Sequence, residues 1–430
     1  MRTLADWLEY QQRVHPRAIE MGLERVREVW RRMGAPAPAP VVITVGGTNG
    51  KGSTVAFAEA MLGAAGKRVG SYTSPHLLRY NERVRVLGEE ASDAALVDAF
   101  ERIEIARAAD PGQTVPLTYF EFGTLAALWI FAQSRLDVAV LEVGLGGRLD
   151  AVNIVDADVA IVTTVDLDHQ DWLGDDRDSI GQEKAGIFRA RRPAIIGMHD
   201  PPQGLLDEAR RIGASLLLAG RDFRISRAAD SWRFECAGTT MSLPDPVLAA
   251  PCQIDNAAAA IAALHALRER VGWVPAAIVR GVRNARLAAR LQRFLKPGAA
   301  ELVIDVAHNP QAARVLADWL TRDPARGRTL AVFGALSDKD VAGIAVPLWP
   351  KFGHWFLGNL AGETPRGLTA PQLRERMPAG AAASEFADVG AALDAASARA
   401  GAQDRIVAFG SFFVAAATLN WAQRNAYKTA

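Results

Sequence analysis

Four side chains in this sequence have the type and setting to do chemistry: Lys51, Glu142, His169 and Lys184. Lys51 lies in VVITVGGTNGKGST, residues 41–54, where an apolar β-branched run breaks into Gly46, Gly47, Gly50 and Gly52. Glycines let the backbone turn its N–H groups inward with no side chain in the way, so that they hold phosphate oxygens beside the lysine ammonium. The sequence is predicted to become helical from Ser53, through TVAFAEAMLGAAG, with Gly66 as the stop. That helix would direct its positive end at the anion. In the common phosphate loop a hydroxyl residue follows the lysine directly, whereas here Gly52 separates Lys51 from Ser53. An ordinary glycine-rich turn would explain a lone glycine run, but strand, glycines, lysine, hydroxyl and helix together favour a nucleotide phosphate site.

The carboxylate stands in LEVGLGGRLDAVN, residues 141–153. Glu142 ends a buried strand, the place where ligands collect in open α/β sheets, and from there it reaches Mg2+ directly or through water. An ion pair with Arg148 is the alternative, because buried glutamates are rarely left unpaired. In TTVDLDHQDWL, residues 163–173, the polar residues again begin where a strand ends, which puts His169 in a loop just past a strand expected to neighbour the one that carries Glu142. Spacing leaves open a metal ligand or a satisfied structural histidine. Lys184 lies in SIGQEKAGIF, residues 179–188, among small and apolar neighbours. Desolvation disfavours the ammonium there, and an uncharged amine reacts with carbon dioxide to give a carbamate, an anionic group able to sit beside a metal. A solvated helix lysine paired with Glu183 is the alternative.

These groups need rigid elements to hold them. At 430 residues, and with roughly 150 residues per domain, two or three domains are expected. Apolar runs too short for helices occur at residues 137–143, 158–165 and 193–197; a fresh strand begins at Glu301 in ELVIDVAHNP, and further runs follow at 329–333 and 405–409. Alternating with helical stretches, they predict parallel, helix-covered sheets. A helix is expected over residues 256–270, a basic stretch follows at 280–293, and the domain junction is placed near 286–297. The alternating alanines and prolines of residues 35–40 read as a stiff connector into the first strand. The formal charge of +1 gives no basis for a nucleic-acid or membrane-surface partner. Cys236 and Cys252 have neither metal spacing nor a disulfide framework, which fits a reducing cytoplasm. The N-terminus has helical periodicity rather than a signal's apolar core, and no segment reaches the about 20 apolar residues that span a bilayer.

The strings GGTNGKGST, YTSPHLLRYNERVRV, TYFEFGTLAAL, EVGLGGRLDAVN, LDHQDWLG, EKAGIF and DVAHNP occur in this order over nearly the whole chain. Together they resemble the folylpolyglutamate synthase family of the Mur ligase superfamily, and more narrowly its bacterial bifunctional members, which share the inserted glycine at Gly52. The resemblance implies a Mur-ligase-like α/β architecture. An N-terminal P-loop ATPase domain with a parallel sheet would cover residues 1–290 and a smaller, Rossmann-like C-terminal α/β domain residues 291–430, with the active site in the cleft between them. It implies a cytoplasmic, monomeric ligase that uses ATP and two Mg2+ ions to join L-glutamate to dihydropteroate and to tetrahydrofolate or folylpolyglutamate.

By position, the resemblance assigns Thr48, Asn49, Gly50, Lys51, Gly52 and Ser53 to the ATP phosphates, with Asn256, Arg290 and Asp305 completing the nucleotide site. Ser74 and Glu142 would bind one Mg2+ and His169 a second, and Lys184 would be carbamylated. Ile19, Glu20 and Met21, then Thr118 and Phe120, then Leu149, Asp150 and Ala151 would meet the pterin end of the acceptor. Three places depart from the family pattern. Ala288 and Ala289 precede Arg290 where Pro-Gly is usual, and Ser337 and Phe413 stand where histidines are common. A peptidoglycan-precursor ligase would share the loop and metal residues but bind a uridine nucleotide, which the pterin-like segments disfavour. A nucleotide switch without ligation has no use for His169 or Lys184, and no Asn-Lys-x-Asp guanine-reading string occurs.

Overall fold

Every residue of β1 (Val41–Gly46) is buried, as a strand covered on both faces requires. It is an inner strand of an eight-stranded sheet in a computed structural model that describes residues 2–15, 17, 19–110, 112–228, 231–380 and 382–430. The other strands are β2 (Val69–Tyr72), β3 (Val84–Val86), β4 (Glu89–Glu90), β5 (Val138–Glu142), β6 (Val159–Val162), β7 (Pro193–Ile196) and β8 (Ser215–Leu218), in the order β4-β3-β2-β5-β1-β6-β7-β8. β1 runs parallel to both β5 and β6, which brings the ends of three buried strands to one edge; the strands before Glu142 and His169, expected side by side, are therefore separated by β1. Only the short strands β3 and β4 pair antiparallel. Asp158 fastens the start of β6: it accepts the Val42 N–H at 2.9 Å and the Arg192 guanidinium at 2.6 Å, and it pairs with Arg270.

The chain forms two compact units, Met1–Val247 with Ile254–Ala285, and Leu248–Gln253 with Arg286–Ala430. The first also holds a three-stranded antiparallel sheet, β9 (Phe223–Arg227), β10 (Ser231–Cys236) and β11 (Thr239–Pro244), which the sequence reading did not anticipate. Its signal is the alternation in β10, where Trp232, Phe234 and Cys236 are buried and Arg233 and Glu235 exposed. The second unit carries β12 (Gln292–Leu295), β13 (Glu301–Ile304), β14 (Thr329–Phe333), β15 (His354–Gly358), β16 (Ala383–Phe386), β17 (Arg405–Phe409) and β18 (Lys428–Thr429). Their order is β16-β15-β14-β17-β13-β12-β18, with every pairing parallel except the two that β12 makes, with β13 and β18. Phe333, Phe352, Trp355 and Phe409 fill its core, with Phe352 stacked on Phe409 at 5.6 Å. Full burial of each such ring contributes about 1.5–3 kcal/mol.

Two helices differ from expectation. The helix after β1 runs Lys51–Ala64 and starts two residues before Ser53, because Gly50 in the left-handed region serves as N-cap and its carbonyl accepts the Thr54 N–H. It stops at Ala65, with Gly66 following at φ 78°. The stretch expected as one helix over residues 256–270 is Gln253–Ala266 followed by Arg268–Val271. Arg268 donates at 3.0 Å to the His265 carbonyl, the acceptor that residue 269 would use in an unbroken helix.

Candidate active site

The loop from β1 into helix Lys51–Ala64 is shaped by what glycine permits. A Cβ on Gly47, at φ 141°, would lie 1.9 Å from Thr163 Oγ1, and one on Gly50, at φ 86°, would lie 2.4 Å from Asn256 Oδ1. Thr48 N donates to the Thr164 carbonyl at 2.8 Å and Asn49 N to Thr164 Oγ1 at 3.0 Å, so the residues after β6 brace the loop from beneath. Lys51 Nζ folds back on its own loop, donating to the carbonyls of Gly47 at 3.0 Å and Thr48 at 3.1 Å. Buried Ser53 lies in the first turn of the helix, and Gly52 precedes it. A glycine cradle at the N-terminus of a 14-residue helix, beside an ammonium, fits a phosphate group.

Glu142 ends β5 with 5% exposure, and its Oε2 accepts the Ser74 N–H at 3.2 Å. The alternative partner, Arg148, is engaged elsewhere: its guanidinium donates to Glu183 Oε1 at 2.7 and 2.9 Å. That pairing also takes Glu183 from Lys184, which is buried at 3% exposure rather than solvated. Burial, and after it the Lys51 ammonium, hold the Lys184 amine down to about 7, while Asp168 and Asp150 act to raise it. Burial also pushes the Asp150 carboxyl up to about 6, against the opposing pull of the Leu145, Val152 and Gly144 amides and of Lys51. Lys51, Asp150, Asp168 and Lys184 thus form one electrostatic cluster. Gly147 makes it compact, since a Cβ there would lie 2.8 Å from the Glu183 carbonyl and 2.9 Å from that of Lys184.

His169 caps the short helix Gln170–Leu173 in the left-handed region, φ 52° and ψ 41°. Its N–H donates to Asp168 Oδ1 at 2.9 Å, and its Nε2 lies 3.9 Å from the same oxygen. Among the described residues no group of three or more His, Cys, Asp or Glu side chains could hold a metal by itself. Glu142 and Ser74 offer oxygen donors of the kind Mg2+ takes while keeping several waters and substrate phosphates; His169 offers a nitrogen instead.

The pterin-assigned segments come together around Gly144 and Gly146. A Cβ on Gly144 would lie 2.6 Å from the Phe120 ring, and one on Gly146 would lie 3.4 Å from Met21 Cε. Gly22 N donates to the Leu149 carbonyl at 3.4 Å, and Asp150 caps Ala151–Ile154 by accepting the Val152 N–H. Thr118 caps the helix Tyr119–Gln133. Ile19 lies in the same loop as Glu20 and Met21, and two of its neighbours, Pro16 and Ala18, fall outside the described residues.

In the second unit Arg290 stands between Ala289 and Leu291, both in the left-handed region at φ 53° and 48°. Its guanidinium lies 5.5 Å from the Phe412 ring. Asp305 accepts the N–H groups of Leu291 and Ala307, each at 2.8 Å. Burial raises its carboxyl, and Arg290 lowers it. Ser337 makes backbone bonds, its N–H to the Arg366 carbonyl at 2.8 Å and its carbonyl to Arg376. Phe413 lies in the first turn of the helix Phe412–Arg424.

Sequence reasoning missed Asp168, whose signal was its place directly before His169. It also missed Arg83, a buried guanidinium 5.2 and 5.4 Å from the rings of Tyr80 and Tyr119. Arg83 Nε donates at 2.9 Å to His76 Nδ1, and burial followed by this cation pushes His76 down to about 4, which keeps it neutral.

The family models match this layout as a Mur ligase middle domain over residues 45–264 and a Mur ligase glutamate ligase domain over residues 289–412. The chain is 48% identical over 414 residues to the dihydrofolate synthase/folylpolyglutamate synthase of Escherichia coli K12, covering 96% of this chain and 94% of that one. It superposes on Escherichia coli FolC in complex with DHPP and ADP with a TM-score of 0.91 at 46% identity, over 99% of each chain. A bifunctional folylpolyglutamate synthase/dihydrofolate synthase with Mn, AMPPNP and L-glutamate bound matches with a TM-score of 0.88 at 44% identity, over 98% of each. The fold is that of a Mur ligase, and within that class the chain belongs to the folylpolyglutamate synthase family, alongside its bifunctional dihydrofolate synthase members.

Proposed function

We propose that this chain joins L-glutamate to dihydropteroate, giving dihydrofolate, and to tetrahydrofolate or folylpolyglutamate, extending the glutamyl tail, with ATP consumed at each addition. The observation that carries this reading is the glycine cradle around Lys51 beside Glu142 and the buried amine of Lys184, in a chain similar throughout to relatives with both activities. A carboxylate is a poor electrophile. One of its oxygens attacks the γ-phosphorus of ATP as the bond to ADP breaks, and the glutamate amine then attacks the acyl phosphate, loses a proton and releases phosphate.

Lys51 and the loop N–H groups neutralise the charge that moves during phosphoryl transfer, at no cost in reorganisation because they are already fixed. We assign Thr48, Asn49, Gly50, Gly52, Ser53, Asn256, Arg290 and Asp305 to the nucleotide. Ser74 and Glu142 would hold one Mg2+ and His169 a second. Mg2+ bound there would draw charge from the phosphoryl oxygens. Lys184, neutral in part near pH 7, would add carbon dioxide and lose a proton to become a carbamate, an anion whose charge Lys51 offsets. Ile19, Glu20, Met21, Thr118, Phe120, Leu149, Asp150 and Ala151 would meet the pterin end. We take residues 1–290 as the ATP-binding domain and 291–430 as the second, a division slightly past the boundary of the compact units at Ala285, which already sets Arg290 in the second unit. We expect cytoplasmic residence as a monomer from the family resemblance. No helix among the described residues is long and apolar enough to cross a membrane.

The test is phosphate release with Mg·ATP, L-glutamate and, in parallel, dihydropteroate or tetrahydrofolate. Turnover that depends on both glutamate and the acceptor is expected with each; hydrolysis indifferent to both would remove the proposal.

A further inference from the structure

The described residues 19–22 have no strand or helix of their own, yet they supply Glu20 and Met21 to the acceptor side. Besides the Gly22 bond to Leu149, and His15 and Arg17 near Glu20, one guanidinium links them to a distant helix. Arg25 Nη1 donates to Glu20 Oε1 at 2.7 Å, and Nη2 donates both to the Glu20 carbonyl at 3.1 Å and to Glu121 Oε1 at 3.0 Å. Glu121 is a buried carboxylate whose other oxygen accepts the Thr118 N–H at 2.7 Å in a capping box, so the same side chain sets the first turn of the helix that carries Phe120. On the far side, His15 Nε2 lies 3.2 Å from Glu20 Oε2.

Arg25 therefore ties one acceptor segment to another by three hydrogen bonds through one rigid fork. Its Nε, buried, has no partner among the described residues, a desolvation cost that surface charge pairing would not incur. We propose that Arg25 is a positioning residue for the pteroate-type acceptor, fixing Glu20 and Met21 against Thr118 and Phe120 without touching the reacting atoms. This inference rests on the acceptor-side reading of those segments. A lysine in its place carries the charge but has no planar fork to satisfy Glu20 and Glu121 together.

The experiment compares Arg25→Met, Arg25→Lys and Phe120→Ala in the full-length chain, with KM for dihydropteroate, ATP and L-glutamate measured separately. Both Arg25 variants are expected to raise the dihydropteroate KM about tenfold or more while the KM values for ATP and glutamate stay within about twofold. An unchanged dihydropteroate KM in Arg25→Lys, or all three KM values rising together, would overturn the proposal. Arg25→Lys decides alone if Arg25→Met fails to fold. Phe120→Ala separates the two levels. If it raises the acceptor KM and the Arg25 variants do not, only the strap falls; if it too leaves that KM unchanged, the acceptor-side reading falls with it.

Discussion

The loop at Lys51 and the turn at Arg290 both present a cation through left-handed backbone, but they manage the conformation differently. In the loop the positive-φ positions are Gly50 and Gly47, where no Cβ opposes the geometry. In the turn they are Ala289 and Leu291, each of which costs about 1–2 kcal/mol in that region. The first site is thus built from unstrained main chain that any side chain would obstruct. The second holds strain, and the bonds of Asp305 to Leu291 and Ala307 must offset it.

The sharpest way to break this contrast is at the loop. Gly50→Ala places a methyl against Asn256 in a backbone region alanine resists, so it should both destabilise the chain by about 2–3 kcal/mol in urea titration and abolish calorimetric uptake of Mg·ATP. Lys51→Ala removes the ammonium with its bonds to the Gly47 and Thr48 carbonyls but leaves the glycine backbone as it is. It should leave stability nearly unchanged and lower kcat/KM by roughly 10²–10³; equal losses of stability in both variants would erase the distinction between main-chain and side-chain roles.

A second stress in the first unit is electrostatic. Lys184 is lowered from 10.5 to about 7. Below pH 7 both folded and unfolded lysine are protonated and the full penalty is felt. Between about 7 and 10.5 the folded group has lost its proton and the unfolded group has not, so stability should climb with pH, in total on the order of 5 kcal/mol. Unfolding curves in carbon-dioxide-free buffer at several pH values should show this rise, and Lys184→Met should remove it. Asp150 has the opposite sign, since its raised carboxyl makes stability fall as pH rises from about 4 to about 6. The smallest expected effect is at the turn. Ala289→Gly should stabilise by up to about 1 kcal/mol, the relief of left-handed strain less the added freedom of an unfolded glycine; a destabilised variant would mean that the alanine methyl, fully buried, packs for more than the strain it imposes.

These two regions also differ in how far they were legible. The loop announces itself locally, because the glycines, the lysine and the strand before them are contiguous, and the chemistry at Glu142 and His169 follows the ends of apolar runs. The parallel sheets were readable for the same reason. The sheet of β9, β10 and β11 was not, since its short alternating strands lie in a polar stretch. Which partner Arg148 takes could not be read either: Glu142 and Glu183 are equally plausible in one dimension, and only the approach of Gly147 to the Lys184 turn decides for Glu183. The strap through Arg25 joins residues 20 and 121, and no local pattern links them. Ala289 was visible as a departure, but its strain needed a backbone angle.

The central place of β1 has a consequence during synthesis on the ribosome. Its neighbours on either side are β5 and β6, so the apolar segment Val41–Gly46 emerges long before either partner exists. Until Val162 is out of the exit tunnel, that nascent segment can be sheltered only by chain already made or by chaperones. Fragments cut short of that point should be insoluble, however intact their glycine-rich loop.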